Sequence, residues 1–221
     1  MQRRPLLAAC ALAALAAHPV LHAQTSVASP NSLPAAPLPG SIEVSGVRYA
    51  PTASVAGSTL PLNGAGTRFK FVVRVYTAGL YLGATVTTPE AAFAAPGPKR
   101  LHVVMLRDID ANELGKLFTR GMRDNAPRET FSKSIAGTLR MADIFSAKKK
   151  LLAGESFSVD YVPGVGTTVL VNGKAQGEPV REPEFFTALL SIWLGPNPPD
   201  DGLKAALMGQ EPTAPRGGRN R

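Results

Sequence analysis

The sequence predicts an α+β fold with a largely antiparallel sheet and helices packed on one face. Strand patterns and helix patterns fall in separate runs instead of alternating, and short Gly/Pro/Asn turn signals join neighbouring strands. No internal repeat interrupts this order.

The elements follow in chain order. Ile42 to Arg48 alternates apolar and polar residues, as a half-buried strand does. Pro51, Gly57 and Pro61 mark a loop or an irregular edge strand, and Asn63-Gly64-Ala65-Gly66 a turn. From Thr67 a long strand runs to Tyr76, with Phe69, Phe71, Val73 and Val75 on one side and Arg68, Lys70, Val72, Arg74 and Tyr76 on the other. It continues past a bend at Gly79 into Tyr81 and Leu82. Thr88 to Ala95 reads as a short helix, and the almost wholly apolar Arg100 to Leu106 as a strand buried on both faces. Asp110 caps a helix from Ala111 to Arg123, with Glu113 completing a capping box and Leu114, Leu117, Phe118 and Met122 on its inner face. Pro127 opens a longer helix whose inner face holds Phe131, Ile135, Leu139, Met141 or Ala142, and Phe145. Ser156–Val162 and Thr167–Val171 form a hairpin around Pro163-Gly164-Val165-Gly166, and Asn172-Gly173 turns the chain again. Glu184 to Leu194 is an apolar helix stopped by Gly195-Pro196, and Asp200 or Asp201 caps a last helix, Leu203 to Met208.

The ends are of another kind. Arg3 and Arg4, the short apolar stretch Leu6 to Ala17, and Leu21-His22-Ala23 form a secretory signal over residues 1–23. Residues 24–40 are a Pro/Ser/Ala linker, 41–210 the folded domain and 211–221 a disordered Pro/Gly tail. The expected location is therefore the periplasm or the exterior. Leu7-Ala8-Ala9-Cys10 matches a lipoprotein box by type, but too few apolar residues precede it, and lipidation of Cys10 stays open. Cys10 is the only cysteine and leaves with the signal, which excludes thiol chemistry in the mature chain. No later apolar run approaches the roughly 20 residues of a membrane helix.

Half of the net charge of +8 lies at the two ends, which leaves the domain only mildly basic, and Lys148-Lys149-Lys150 reads as a helix C-terminus, not a nucleic-acid stripe. Neither a nucleic-acid partner nor a cofactor or metal is expected. Gly64-Ala65-Gly66 precedes a strand, the wrong order for a phosphate loop. His102 is the lone histidine of the domain and reads as a structural one. The serines lack a GxSxG context.

Arg68 and Tyr76 are what the folding pattern leaves unexplained. A guanidinium and a phenol in apolar surroundings suit an acidic ligand, the first by a charge-assisted bond. Eight residues apart in one strand they share a face, yet about 26 Å would separate them if it ran straight. They can meet on one ligand only if Arg68 folds back at Gly66 or a bulge intervenes.

The segments GAGTRF, VYTAGLYL, RLHVVMLRDI followed by two helices, SVDYVPGVGTTVLVNGKAQG and FFTALLSIWLGPNPPDDGLKAALMG, in this order, resemble the chalcone isomerase superfamily, in particular its bacterial secreted branch. The resemblance covers Ser41 to Gly209. It implies an open-faced β-sandwich, a large antiparallel sheet with a helical layer on one face and the ligand cleft between them. Catalytic members close a flavanone ring by intramolecular addition of a phenolate, using an arginine, a threonine, a tyrosine and an asparagine. Arg68 matches the arginine, Tyr76 stands at the threonine position, Phe131 at the tyrosine position and Thr138 at the asparagine position. Phe131 has no hydroxyl, so the isomerase set is incomplete. The fatty-acid-binding branch instead pairs the arginine with a strand tyrosine, as Arg68 and Tyr76 would be paired here.

The resemblance thus implies a non-catalytic binder of a small apolar molecule with an acidic head. Arg68, Tyr76, Phe131 and Thr138 would be its ligand-binding residues, and Phe71 or Val73, Leu106 and Ile135 would join its apolar wall. Two alternatives stay open: an intramolecular lyase in which Arg68 is catalytic, and an interaction module whose cleft is closed and whose Arg68 is paired internally.

Overall fold

The computed structural model describes residues 39–210. The signal segment, residues 24–38 of the linker, and the tail 211–221 lie outside the described residues.

The domain begins with two hairpins where the sequence suggests one strand followed by a loop or an irregular edge strand, and Thr52–Val55 is that edge strand. β1 (Ile42–Val44) pairs with β2 (Val47–Tyr49) across Ser45-Gly46, where both residues have positive φ, at 51° and 83°. β3 (Thr52–Val55) pairs with β4 (Ser58–Lys70) across Ala56-Gly57, at 48° and 79°. Two positive φ values are the signature of the type I′ turn, whose twist matches that of paired strands. Only the glycine half of each signal is visible in the sequence.

β4 then runs straight through Asn63-Gly64-Ala65-Gly66, so the predicted turn is strand, with a bulge between Leu62 and Gly64. The glycines answer a packing need. A Cβ at Gly66 would lie 2.6 Å from that of Ala206, and one at Gly64 would collide with the Ala206 carbonyl oxygen. Ala206 belongs to α5 (Asp201–Leu207), which lies directly on β4 at this point. Glycine inside a strand often marks such a close approach.

β5 (Val73–Tyr81), α1 (Pro89–Ala94), β6 (Lys99–Met105), the short β7 (Ile109–Asp110), α2 (Ala111–Asn125), α3 (Arg128–Lys148), β8 (Lys150–Leu151), β9 (Ser156–Val162), β10 (Gly166–Val171), β11 (Lys174–Ala175) and α4 (Pro183–Leu194) complete the chain up to α5. Seven strands form one antiparallel sheet in the order β11-β10-β9-β6-β5-β4-β3, and α2, α3 and α4 pack together over one face. This is the α+β, helix-on-sheet layering that the segregated pattern predicts. As expected, the Asp110 carboxylate accepts the Glu113 N–H at 3.0 Å to cap α2.

Strand alternation separates two cores. On the helical face, Ala78 and Leu80, Leu101, Val103 and Met105, and Phe157 and Val159 stand in register and are buried with Phe118, Phe145 and Trp193. On the opposite face the β1–β2 hairpin packs with residues of β3 and β4, and there Tyr49 is buried, donates to Thr77 Oγ1 at 2.8 Å and lies against Gly79. β6 therefore alternates, with Arg100, His102 and Val104 half-buried, and is not buried on both faces as its apolar run suggested. His102 is indeed structural: Nδ1 hydrogen-bonds Ser158 Oγ at 2.8 Å and its ring meets the edge of Tyr49.

The inner face of α3 also differs from expectation. Ser134, Gly137, Thr138, Met141 and Phe145 are buried, whereas Ile135 and Leu139 are 46% and 63% exposed. Small residues win because α4 comes close: a Cβ on Gly137 would lie 2.7 Å from the Phe185 ring.

Candidate functional site

The stretch from Arg68 to Tyr76 is a hairpin. β4 ends at Lys70, Phe71 and Val72 make a two-residue turn, and β5 returns from Val73, which pairs with Lys70. Arg68 and Tyr76 are thus direct cross-strand partners. Such partners have Cα atoms about 5 Å apart, against the 26 Å or so of a continuous strand. A bulge lies at this point, because Arg68 pairs with Tyr76 while Phe69 pairs with Arg74, leaving Val75 as the extra residue. Bulges re-aim side chains. Here Val75 and Tyr76, consecutive along the chain, both line one cavity, although neighbours in a regular strand face opposite ways.

That cavity, of about 600 Å³, lies between the β4–β5 hairpin, α2 and the segment leading to α5. This is within the roughly 300–1,000 Å³ typical of small-molecule sites. Leu114, Leu117, Phe118, Ile192 and Val75 make its apolar wall, and Arg68 and Tyr76 stand in its lining.

Each polar group is held from behind. The Trp193 Nε1–H donates to the Tyr76 hydroxyl at 2.9 Å, so the phenol keeps its own proton to give. Burial pushes the Tyr76 pKa up to about 12, against the lowering influence of the Trp193 bond and the Arg68 charge, and the phenol stays neutral at ordinary pH. Arg68 Nη1 lies 3.7 Å from Asp200 Oδ2, an ion pair too long for a hydrogen bond. The same carboxylate accepts the Phe69 N–H at 2.8 Å and, through Oδ1, the Leu203 N–H at 3.0 Å as the cap of α5. Asp200 thereby ties the hairpin to α5 and places Arg68 without using up its fork of donors. A buried phenol proton beside a guanidinium can hold one carboxylate or phenolate with its tail along the Leu114 and Phe118 wall.

Of the four sequence-predicted site residues, the cavity brings together Arg68 and Tyr76 and leaves out Phe131 and Thr138. Phe131 is half-buried at the margin of the main core, and Thr138 is buried, donating to the Ser134 carbonyl at 2.9 Å. The reason is that α2, not α3, faces the hairpin. Two α2 residues in the lining, Phe118 and Asn125, stand seven positions apart, the same interval as Phe131 and Thr138. Phe118 has no hydroxyl. The Asn125 amide is already engaged, with Nδ2 donating to the Gly121 and Asn197 carbonyls and Oδ1 accepting the Asn197 N–H.

The other expected wall residues are also elsewhere: Phe71 and Val73 are on the exposed hairpin, Ile135 is on the outer surface of α3, and Leu106 is outside the lining. Trp193 and Asp200 went unassigned to the site in the sequence. The signal available for Trp193 was that it is the chain's one tryptophan, set in an apolar helix, and a buried indole N–H needs an acceptor.

A family model described as chalcone isomerase-like matches residues 41–209. Among solved structures, the fold is similar to that of the fatty-acid binding protein AtFAP1 of Arabidopsis thaliana, with a TM-score of 0.57 at 13% identity over 74% of this chain and 92% of that one. No curated protein matches the chain. With the matched span extending across almost all of the described domain, this chain belongs to the chalcone isomerase-like family.

Proposed function

We propose that the protein is a non-catalytic carrier of a small amphiphile with an acidic head, fatty-acid-like in form, working outside the cytoplasm. The single observation that carries this is the pairing of Arg68 with Tyr76 in the lining of an apolar cavity, the phenol keeping its proton free because Trp193 occupies its acceptor side. Similarity of fold to a plant fatty-acid binding protein agrees with it. Isomerase chemistry would require a further hydroxyl or free amide on the facing helix, and Phe118 and Asn125 supply neither. The alternative of a closed module meets one of its two conditions, since Arg68 does pair with Asp200, but the cleft is not filled. Export rests on the signal pattern of residues 1–23.

Native mass spectrometry of protein recovered from the periplasm tests cargo and export together. The expected mass is that of a chain beginning after Ala23 plus one bound acid. In a solution titration with palmitate, Arg68→Gln should weaken binding by about 1.5–3 kcal/mol, the worth of a hydrogen bond to a charged group, or roughly ten- to a hundredfold. Unchanged palmitate affinity in that variant, with no acid on the recovered protein, would remove the basis of this reading.

A further inference from the structure

The turn that brings Arg68 and Tyr76 together is built from the wrong residues for a turn. Phe71 and Val72 are each 92% exposed, and Phe69 and Val73 beside them are 43% and 41% exposed. Phe71 has φ of 56°, in the left-handed region, while Val72 is not among the positive-φ residues. A positive φ at the first turn residue alone is what a type II′ turn has, and glycine is preferred there. The chain has instead placed two large apolar side chains in water and one of them in a strained conformation. Exposed strain that gives nothing back to the core points to a role outside folding.

The surroundings of the tip identify its partner. Lys70 and Arg74 flank it, and Arg107 and Arg120 stand on the rim of the cavity that Lys70 also lines. Among the described residues none of these four cations forms an ion pair. The acids lining the same cavity are engaged: Asp108 with Lys150, Glu113 with Lys116, Asp124 with Arg123, and Asp110 as a helix cap. Leu117, 51% exposed, adds an apolar point to this rim. A two-residue turn is too small for a protein interface, which covers roughly 800 Å² on each partner. Apolar side chains set among unpaired cations fit an interfacial anchor on anionic lipid.

We infer that the β4–β5 hairpin docks the protein on negatively charged bilayers, Phe71 and Val72 entering the interface while Lys70 and Arg74 meet the headgroups. The mouth of the cavity then faces the membrane, and an amphiphile passes between bilayer and cavity without crossing bulk water. The transfer step rests on the carrier reading above, whereas the docking step does not.

Flotation with fatty-acid-free vesicles separates the two. The chain and its Phe71→Gly/Val72→Asn variant are made with identical termini and mixed with vesicles of equal parts phosphatidylglycerol and phosphatidylcholine, or of phosphatidylcholine alone. The variant carries the Gly-Asn pair that a type II′ turn prefers, so its melting temperature should be no lower than that of the parent. The parent floats with the anionic vesicles, and at least tenfold less of the variant does so. Arg74→Glu, a separate surface change, lowers flotation at least fivefold, and pure phosphatidylcholine retains little of any of them. Both variants keep the parent's palmitate affinity in free solution, since Phe71, Val72 and Arg74 do not line the cavity. Equal flotation of parent and variants overturns the proposal, as does no flotation of the parent. Self-association of the parent that the turn variant abolishes, without flotation, assigns the tip to a second copy of the chain and overturns it too. Palmitate binding absent from every protein would end the carrier reading while leaving the flotation result to decide the docking.

Discussion

Arg68 and Tyr76 show what a residue's type discloses and what it withholds. Their chemistry could be read directly from the sequence. Their supports could not, because Trp193 and Asp200 are more than a hundred positions away and come into contact only when the sheet and helices assemble. The Trp193 bond has a measurable consequence at high pH. The folded-state pKa of Tyr76 is raised to about 12, so the phenol contributes stability that is complete below the ordinary value near 10 and is lost as pH rises through 12. Burial pushes the Tyr49 and Tyr81 hydroxyls up as well, which adds to this alkaline sensitivity. Tyr76→Phe should be less stable at pH 7 by about 1–3 kcal/mol, because the buried indole N–H loses its acceptor, and should lose less stability between pH 10 and 12. Urea unfolding across that range measures both quantities, and parallel curves for the two proteins would refute the assignment.

At the level of elements, the sequence was most informative where a local interaction decides the structure. The Asp110 cap, the helices α2 and α5 and the β9–β10 hairpin involve residues only a few positions apart and lie close to where the pattern placed them. Asp200 takes the cap that the pattern left between Asp200 and Asp201. Turns in the first third of the domain were misread for a common reason. Gly64 and Gly66 carry the letters of a turn but are there for α5, whereas Phe71-Val72 is a turn with none of those letters. Glycine signals that a side chain is not tolerated, and the pattern alone cannot say whether backbone conformation or a neighbour is the cause. Gly64→Ala sets a methyl group against α5 backbone that has no side chain to move aside. It should lower stability by about 1–3 kcal/mol, as overpacking does, and weaken palmitate binding too, since α5 carries Asp200 at its cap. An unchanged urea midpoint would contradict the close packing of α5 on β4. The same limit explains α3, where small residues face inward and a periodicity count followed the larger Ile135 and Leu139 outward.

For the whole molecule, the order of strand and helix runs was enough to predict the layering, because the strands of an antiparallel sheet leave a period-2 pattern and helices leave a period-3.6 one. It was not enough to decide which helix faces the hairpin, a matter of how the layer is set on the sheet, and so Phe131 and Thr138 are expected in a lining to which α2 contributes Phe118 and Asn125. Trp193 links the two layers, since it sits in the helical layer with its ring near Phe118 and its N–H on the sheet residue Tyr76. As the chain's one indole, it makes the protein its own optical gauge. A carboxylate that accepts a hydrogen bond from the Tyr76 hydroxyl changes the dipole at the indole nitrogen, so palmitate should shift or quench the intrinsic emission of the unlabelled protein. In Tyr76→Phe the emission should no longer respond, even to the palmitate that Arg68 still holds. A silent spectrum at saturating palmitate in the parent would mean that the acid sits away from Tyr76. A response would allow occupancy to be followed in real time, during loading from a vesicle as readily as in free solution.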